Sequence, residues 1–138
     1  MTLHGWRSKA EVAAFYEQAD VFVFPSYREA GGNVALEAMG YSLPLVVVDR
    51  GGPGSATSAE CAFKLKAENP QGLAEEIAAA VKRLASDRAL RLRMGQASRQ
   101  HVAQTALWSA KLDRIDRIYE EVRQQAMRVQ SASAATAS

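Results

Sequence analysis

The sequence is poor in cysteine and in long apolar stretches, and both shortages limit where the protein resides. Its single cysteine, Cys61, excludes an internal disulfide and favours a reducing compartment. No apolar run reaches the ~20 residues that a membrane-spanning helix needs. The N-terminal residues 1–9 also lack the apolar core of a signal peptide. We therefore expect a cytoplasmic protein in which Cys61 is a small buried residue.

A strong excess of charge and the common cofactor motifs are also lacking. The formal net charge of +2 over 138 residues is too small to indicate a nucleic-acid partner. Neither GxGxxG nor GxxxxGK[ST] occurs, and no His, Cys or Asp cluster has metal-ligand spacing. We expect no metal and no other cofactor. A basic run over residues 88–99 is best explained as a solvated helix face, with peripheral membrane association as the minority alternative.

What the sequence does have is the pattern of an α/β domain. Hydrophobic residues make up 48% and charged residues 23%, which is typical of one soluble globular domain. Short apolar runs, which predict buried parallel strands, alternate with segments of helical periodicity. The predicted strands are 21–24, 45–48 and, more weakly, 62–65, and the predicted helices are 8–19, 32–39, 70–85, 87–102 and 108–129.

These elements predict a partial Rossmann-like parallel sheet of about three strands, followed by three long C-terminal helices. A free-standing Rossmann-like sheet usually has five or six strands, so the count indicates part of one. The expected domain covers residues 1–129. The tail, residues 130–138, is small and polar, and we expect it to be disordered.

The last predicted helix carries an apolar seam whose members step by four and three residues. Packing of this seam against the parent fold is the favoured interpretation, and a coiled coil with a second chain is the alternative. The seam consists of Trp108, Leu112, Ile115, Tyr119, Val122, Ala126 and Val129.

The stretch from Phe22 to Val48 holds the candidate site, because it is predicted as strand, loop, helix, loop and strand. In open α/β folds, ligands bind beyond the C-terminal ends of the strands. Gly31 and Gly32 lie where the loop enters the helix, and a helix N-terminus with unshielded N–H groups suits phosphate. We expect Gly40 to stop this helix. A second glycine-rich segment, residues 49–55, is predicted as a loop that brings bare backbone near a ligand.

Two carboxylates flank the glycines, and they suit hydroxyl groups better than phosphate. Glu37 lies four residues beyond Asn33 on the same side of the predicted helix, a rise of roughly 6 Å. A ribose attached to a diphosphate would lie at about that offset, with Glu29 free to accept hydroxyls from a sugar at the far end. The alternative is that Glu37 is a solvated surface residue and Gly31-Gly32 an ordinary turn.

The run from Asp20 to Asp49 resembles the signature of retaining glycosyltransferases of the large GT-B family 4. In that signature, two glutamates separated by seven residues follow Pro-Ser and precede Ala-Met. Glu29 and Glu37 have this spacing here, between Pro25-Ser26 and Ala38-Met39. The resemblance covers nearly all of residues 3–126. It continues through the second glycine-rich loop, residues 51–52, and through the predicted helices beyond it.

The resemblance implies a role for each residue of the stretch. Glu29 would be the catalytic residue, in contact with the donor sugar and backbone amides, and Glu37 would bind the ribose. The donor would also be bound by the segment Ala30, Gly31, Gly32 and Asn33, through its amides. Family members work without a metal: the leaving nucleotide diphosphate is stabilised electrostatically, and the anomeric configuration is retained.

The resemblance also implies partners and marks departures. The chain matches only the C-terminal, donor-binding part of the family, so the partners are a nucleotide-diphosphate sugar and an N-terminal acceptor-binding domain that is missing here. We expect the truncated chain alone to be inactive as a hexosyltransferase. Many members have an aromatic residue where this sequence has Ala30 and Gly31. The alternative function is a non-catalytic binding module that needs a partner or associates with itself.

Cations that grip the diphosphate in this family belong to a region that the chain does not match. Four basic residues are available near the candidate loops, and we interpret them as surface charges. They are Arg28, Arg50, Lys64 and Lys66. We also interpret His4 as a turn or core residue rather than a ligand of the base or sugar.

Overall fold

The structure is a computed structural model that describes residues 1–66 and 68–136, with side chains through residue 128. It divides into two compact units, Met1–Ala103 and Gln104–Ser138, which are described separately. Among the described residues, no helix is both long and apolar enough to cross a membrane.

Within the described residues, three strands alternate with helices and are followed by three long helices, which confirms the predicted α/β class and the three long C-terminal helices. The strands are β1 (Phe22–Phe24), β2 (Leu45–Val48) and β3 (Ala62–Leu65). The helices are α1 (Lys9–Gln18), α2 (Asn33–Gly40), α3 (Gly51–Ala56), α4 (Pro70–Ser86), α5 (Arg88–Thr105) and α6 (Trp108–Thr136).

The sheet is parallel, in the order β1-β2-β3, and its central strand is buried on both faces. Val46 and Val48 of β2 join one apolar cluster with residues of α4 and with Met94 of α5. Leu45 and Val47 face the opposite layer, which includes Ala35 and Met39 of α2. Both layers are what a continuous apolar run in a parallel sheet predicts.

Strand β1 differs from the prediction in its burial. Its run was expected to be buried on both faces, yet its residues are only half-buried. Val23 packs on the α4 side of the sheet, while Phe22 and Phe24 pack on the α2 side. The strand is an edge of the described sheet, and an edge strand has a neighbour on one side only. Cys61 is fully buried, as predicted.

One local prediction is wrong. Residues 51–56 form the short helix α3, where a loop was predicted. Glycine and proline have poor helix propensity, and this turn is instead held by contacts such as the Thr57 hydroxyl, which donates to the carbonyl of Pro53 at 2.8 Å. The expectation that Gly40 stops α2 is confirmed, since Gly40 is the last helical residue. The positive φ that follows, 60°, is at Ser42.

Helix α1 begins with a capping box formed by Ser8 and Glu11. The Ser8 side chain accepts from the amide of Glu11, and the Glu11 carboxylate accepts from the amide of Ser8 at 2.9 Å. These bonds from Ser8, together with Arg7, lower the pKa of Glu11. The box therefore satisfies orphan N–H groups of the first turn.

Replacing Ser8 with alanine is expected to lower the free energy of unfolding by about 1 kcal/mol, because the side-chain cap is lost. Urea denaturation monitored by circular dichroism measures this change. Ser8→Thr keeps a hydroxyl cap and is expected to retain most of the stability. Equal losses in the two variants would contradict the capping role.

Helix α5 docks closely on the loop that precedes β2. Gly95 and Ser98 are buried on the side of α5 that faces this loop. The Ser98 hydroxyl donates to the carbonyl of Leu43 at 2.6 Å, although the two residues are far apart in sequence. A Cβ built on Gly95 would overlap the backbone oxygen of Ser42. Helix α5 can therefore approach the loop this closely only because Gly95 has no side chain.

Helix α6 forms most of the second unit and exposes its apolar residues. The seam residues Trp108 and Tyr119 are 77% and 71% exposed. Packing of the seam against the parent fold stays a prediction. The helix continues to Thr136, beyond the predicted end near Val129. Disorder of the tail, residues 130–138, stays a prediction, since residues 137–138 lie outside the described part of the chain.

Candidate functional site

The loop after β1 leads directly into the N-terminus of α2, as predicted. Gly32 is the N-cap residue, and its φ of 66° is a left-handed conformation that favours glycine. The amides of Ala35 and Leu36 both donate to the carbonyl of Gly32, so these are the first hydrogen bonds of the helix. The amides of Asn33 and Val34 precede this first bonded turn and are the N–H groups that a helix presents at its positive end.

Glu29 shapes this loop through its carboxylate. Oε1 accepts from the amide of Gly31 at 3.1 Å and from the amide of Gly32 at 3.2 Å. The contact with backbone amides was expected of Glu29, but these two amides were also expected to serve the donor. The carboxylate of Glu29 occupies both of them in this structure. Ala30 is exposed on the same loop.

The start of α3 packs against the loop after β1, and the contacts join backbone atoms of the two segments. The amide of Gly52 donates to the carbonyl of Glu29 at 2.7 Å. Gly51 has a φ of 57°, and a Cβ built there would lie 2.5 Å from the same carbonyl oxygen. A Cβ on Gly52 would lie 2.6 Å from the carbonyl carbon of Gly31. Contacts this short leave no room for side chains, so the glycines are required by packing.

Glu37 lies on the exposed side of α2, the same side as Asn33, as predicted. Ala35, Ala38 and Met39 are fully buried, whereas Asn33 and Glu37 are exposed on the other side. This arrangement follows from the 3.6-residue period, which places positions four apart on one face. The carboxylate of Glu37 is therefore open to a ligand.

Glu37 borders a cleft of about 390 Å³ between α1 and α2, which the sequence did not reveal. The hydroxyl of Tyr16 lies 3.5 Å from Oε2 of Glu37 and donates to it. Burial, and then the charge of Glu37, raise the pKa of Tyr16. A tyrosine in an amphipathic helix looks like a core residue in sequence, and nothing in its spacing indicates this partner. The cleft is lined by Arg7, Lys9, Val12, Ala13, Tyr16, Val34, Glu37 and Tyr41.

Two of the four basic residues near the loops, Lys64 and Arg50, have protein partners of their own. Lys64 forms an ion pair with Asp49 at 2.9 Å. Arg50 lies over the ring of Tyr27, 5.7 Å from its centroid. The imidazole of His4 packs against Phe15, with 4.5 Å between the ring centroids. These contacts agree with the interpretation of Lys64, Arg50 and His4 as structural or surface residues.

No group of three or more His, Cys, Asp or Glu side chains within the described residues is arranged to hold a metal ion. The charges at the site are instead the two glutamates, the partial positive charge of a helix N-terminus, and Arg7 and Lys9 beside Glu37 in the cleft. Carboxylates can accept hydrogen bonds from hydroxyl groups, and the positive groups can bind an anion.

The family described as glycosyl transferases group 1 matches residues 1–101 of the 138. The chain belongs to the group 1 glycosyltransferases. The family resemblance drawn from Glu29, Glu37 and their neighbours is thereby confirmed.

Curated group 1 relatives support the same assignment. The chain is 31% identical over 117 residues to the D-inositol 3-phosphate glycosyltransferase of Corynebacterium jeikeium, covering 84% of this chain and 27% of that protein. It is 31% identical over 90 residues to the capsular polysaccharide biosynthesis glycosyltransferase CapM of Staphylococcus aureus, covering 64% of this chain and 23% of that protein. The chain thus spans about a quarter of the length of these relatives.

Among solved structures, sucrose-phosphate synthase from Thermosynechococcus elongatus is similar in fold. The two superpose with a TM-score of 0.71 at 26% identity, over 90% of this chain and 30% of that chain. The group 1 chain therefore has the α/β architecture of part of a GT-B glycosyltransferase, as the resemblance implied.

Proposed function

We propose that this chain is the part of a glycosyltransferase that binds a nucleotide-diphosphate sugar, the donor in the transfer. The observation that carries the proposal is the placement of Glu29 and Glu37 on either side of the N-terminus of α2. One carboxylate lies in the loop and the other on the open face of the helix. Membership in a transferase family favours this function over that of a non-catalytic binding module.

Each group has a distinct part in the proposed site. The N-terminus of α2 faces the diphosphate with the amides of Asn33 and Val34 and the positive end of the helix dipole. Glu37, on the open side of the helix, accepts the ribose hydroxyls. Glu29 holds the loop with Oε1, and its other oxygen, Oε2, meets the donor sugar.

The chemistry needs no metal in this proposal. The negative charge that develops on the leaving diphosphate is stabilised by fixed backbone dipoles, which act without reorganising during the reaction. Transfer proceeds with retention of the anomeric configuration, onto an acceptor held by a second, N-terminal domain. This chain supplies only the donor-binding part of the complete site, and the acceptor is held by the other domain. The chain alone therefore binds the donor without transferring its sugar. A cytoplasmic location stays a prediction.

Replacement of Glu37 with glutamine tests the ribose role. A panel of UDP-, GDP- and ADP-sugars is titrated into the chain by calorimetry, and the best binder is repeated with Glu37→Gln. We expect its dissociation constant to rise about 10- to 100-fold, because hydrogen bonds to a charged group contribute roughly 1.5–3 kcal/mol.

The matched control is Glu75→Gln, an exposed glutamate of α4 whose side chain accepts from Gln71. It changes the net charge by the same amount and is expected to leave binding unchanged. Unchanged affinity in Glu37→Gln would disprove the ribose role, and the absence of binding to every nucleotide-sugar would disprove the proposed function itself.

A further inference from the structure

Tyr16, whose hydroxyl contacts Glu37, is fixed by packing on several sides. Its side chain is buried, with 9% of its surface exposed. Its ring stacks on Tyr41, with 5.3 Å between centroids and 29° between planes. It also meets Phe22 of β1 edge-on at 5.8 Å. Contacts on two sides fix the ring, so its hydroxyl has a defined position between α1 and α2.

Glu37, in contrast, is an exposed side chain with several rotatable bonds. An unrestrained glutamate must lose rotamer freedom when it grips a ligand, at a cost of up to about 1.5–2 kcal/mol. The hydroxyl of Tyr16 reaches Oε2 of Glu37 at 3.5 Å, which restrains the carboxylate before a ligand arrives. The bond engages one carboxylate oxygen and leaves Oε1 of Glu37 for a ligand in the cleft.

We propose that Tyr16 is a positioning residue that orients the Glu37 carboxylate toward the cleft between α1 and α2. The inference rests on the proposed function, in which Glu37 accepts ribose hydroxyls. Tyr16 touches no reacting atom in this role and acts only through Glu37.

The protonation state of Tyr16 suits this role. Burial, the charge of Glu37 and the neighbouring Tyr41 all raise the pKa of its hydroxyl, so Tyr16 remains a donor at neutral pH. The other charged groups that line the cleft are Arg7 and Lys9, both on the α1 side. Tyr16 is therefore a neutral donor that faces an anionic acceptor.

The test separates positioning from packing by comparing ribonucleotides with 2′-deoxyribonucleotides. Affinities of UDP, GDP and ADP and of their 2′-deoxy counterparts are measured for the wild-type chain, Tyr16→Phe and Glu37→Gln. The phenylalanine keeps the ring contacts and removes only the hydroxyl. We expect Tyr16→Phe to reduce the preference for the ribo form about three- to tenfold, as a hydrogen bond of ordinary strength would.

Tyr119→Phe is the matched control, since Tyr119 is an exposed tyrosine of α6. It is expected to leave both affinities and their ratio unchanged. If Tyr16→Phe weakens the ribo and deoxy forms equally, the residue acts only in packing and the inference is overturned.

The outcomes also distinguish this inference from the proposed function. If the wild-type chain has no preference for the ribo form, or Glu37→Gln does not reduce it, the ribose role of Glu37 fails. If Glu37→Gln reduces the preference and Tyr16→Phe does not, only the inference about Tyr16 fails.

A second measurement leaves Tyr16 in place and so does not depend on the folding of its variant. The four tyrosines of the chain are titrated by ultraviolet absorbance in wild type and in Glu37→Gln. Removing the carboxylate is expected to move one tyrosine transition to lower pH, because the charge of Glu37 raises the pKa of Tyr16. Identical titration curves would overturn the contact.

Discussion

Replacement of Gly52 with alanine is expected to lower the free energy of unfolding by about 3 kcal/mol, a large share of the stability of a small domain. A Cβ at this position would lie 2.7 Å from the oxygen of Ala30 and from the amide nitrogen of Gly32. Both neighbours are backbone atoms, so neither can rotate away. The loop after β1 must move as a whole, and donor binding is expected to be lost with it.

Urea denaturation measures the stability of Gly52→Ala, and calorimetry measures its binding of nucleotide-sugars. Gly40→Ala is the matched control, because a Cβ on Gly40 would meet nothing within 4 Å. At the end of α2, alanine is expected to be neutral or to stabilise the chain by up to about 1 kcal/mol. A Gly52→Ala chain as stable as Gly40→Ala would contradict the close contact of the two loops.

Gly95→Ala is expected to destabilise the chain by about 3 kcal/mol, although alanine is the better helix former. Intrinsic propensity alone would favour alanine in the middle of α5 by about 1 kcal/mol. The new methyl group would overlap the carbonyl oxygen of Ser42, however, and would lie near the ring of Pro44. Separation of α5 from this loop would also stretch the bond from Ser98 to Leu43. The steric cost of the methyl group therefore exceeds the gain in helix propensity, so the net effect of the substitution on stability is unfavourable.

The stability of Gly95→Ala is measured against Gln100→Ala, which lies on the exposed side of the same helix. This control is expected to change stability by no more than about 0.5 kcal/mol. If Gly95→Ala proved more stable than wild type, the propensity of α5 would dominate and the close docking on Ser42 would be wrong.

The sequence was sufficient to predict the elements whose signals are local. The run Leu45–Val48 predicts a doubly buried strand, and Asn69 followed by Pro70 predicts where α4 begins. The family signature located the loop that carries Glu29. These features are expressed within a few neighbouring residues, so they can be read without knowledge of the fold.

Features that depend on tertiary contacts were not predictable in the same way. The helix α3 is made of residues that disfavour helices, and it is held by the loop that contains Glu29. The bond from Tyr16 to Glu37 joins residues of different helices. The requirement for glycine at position 95 comes from Ser42, on a distant loop. In each case the deciding partner is remote in sequence and leaves no pattern beside the residue.

The two hydrogen bonds to Oε1 of Glu29 have a consequence for how an anion enters the site. Glu29 acts as an internal counter-ion for its own loop, because its carboxylate occupies the amides of Gly31 and Gly32. Any phosphate that binds these two amides must displace a negative charge that is covalently tethered beside them. The chain itself therefore satisfies the amides of Gly31 and Gly32, and an anion that leaves Glu29 in place meets the amides of Asn33 and Val34 at the start of α2.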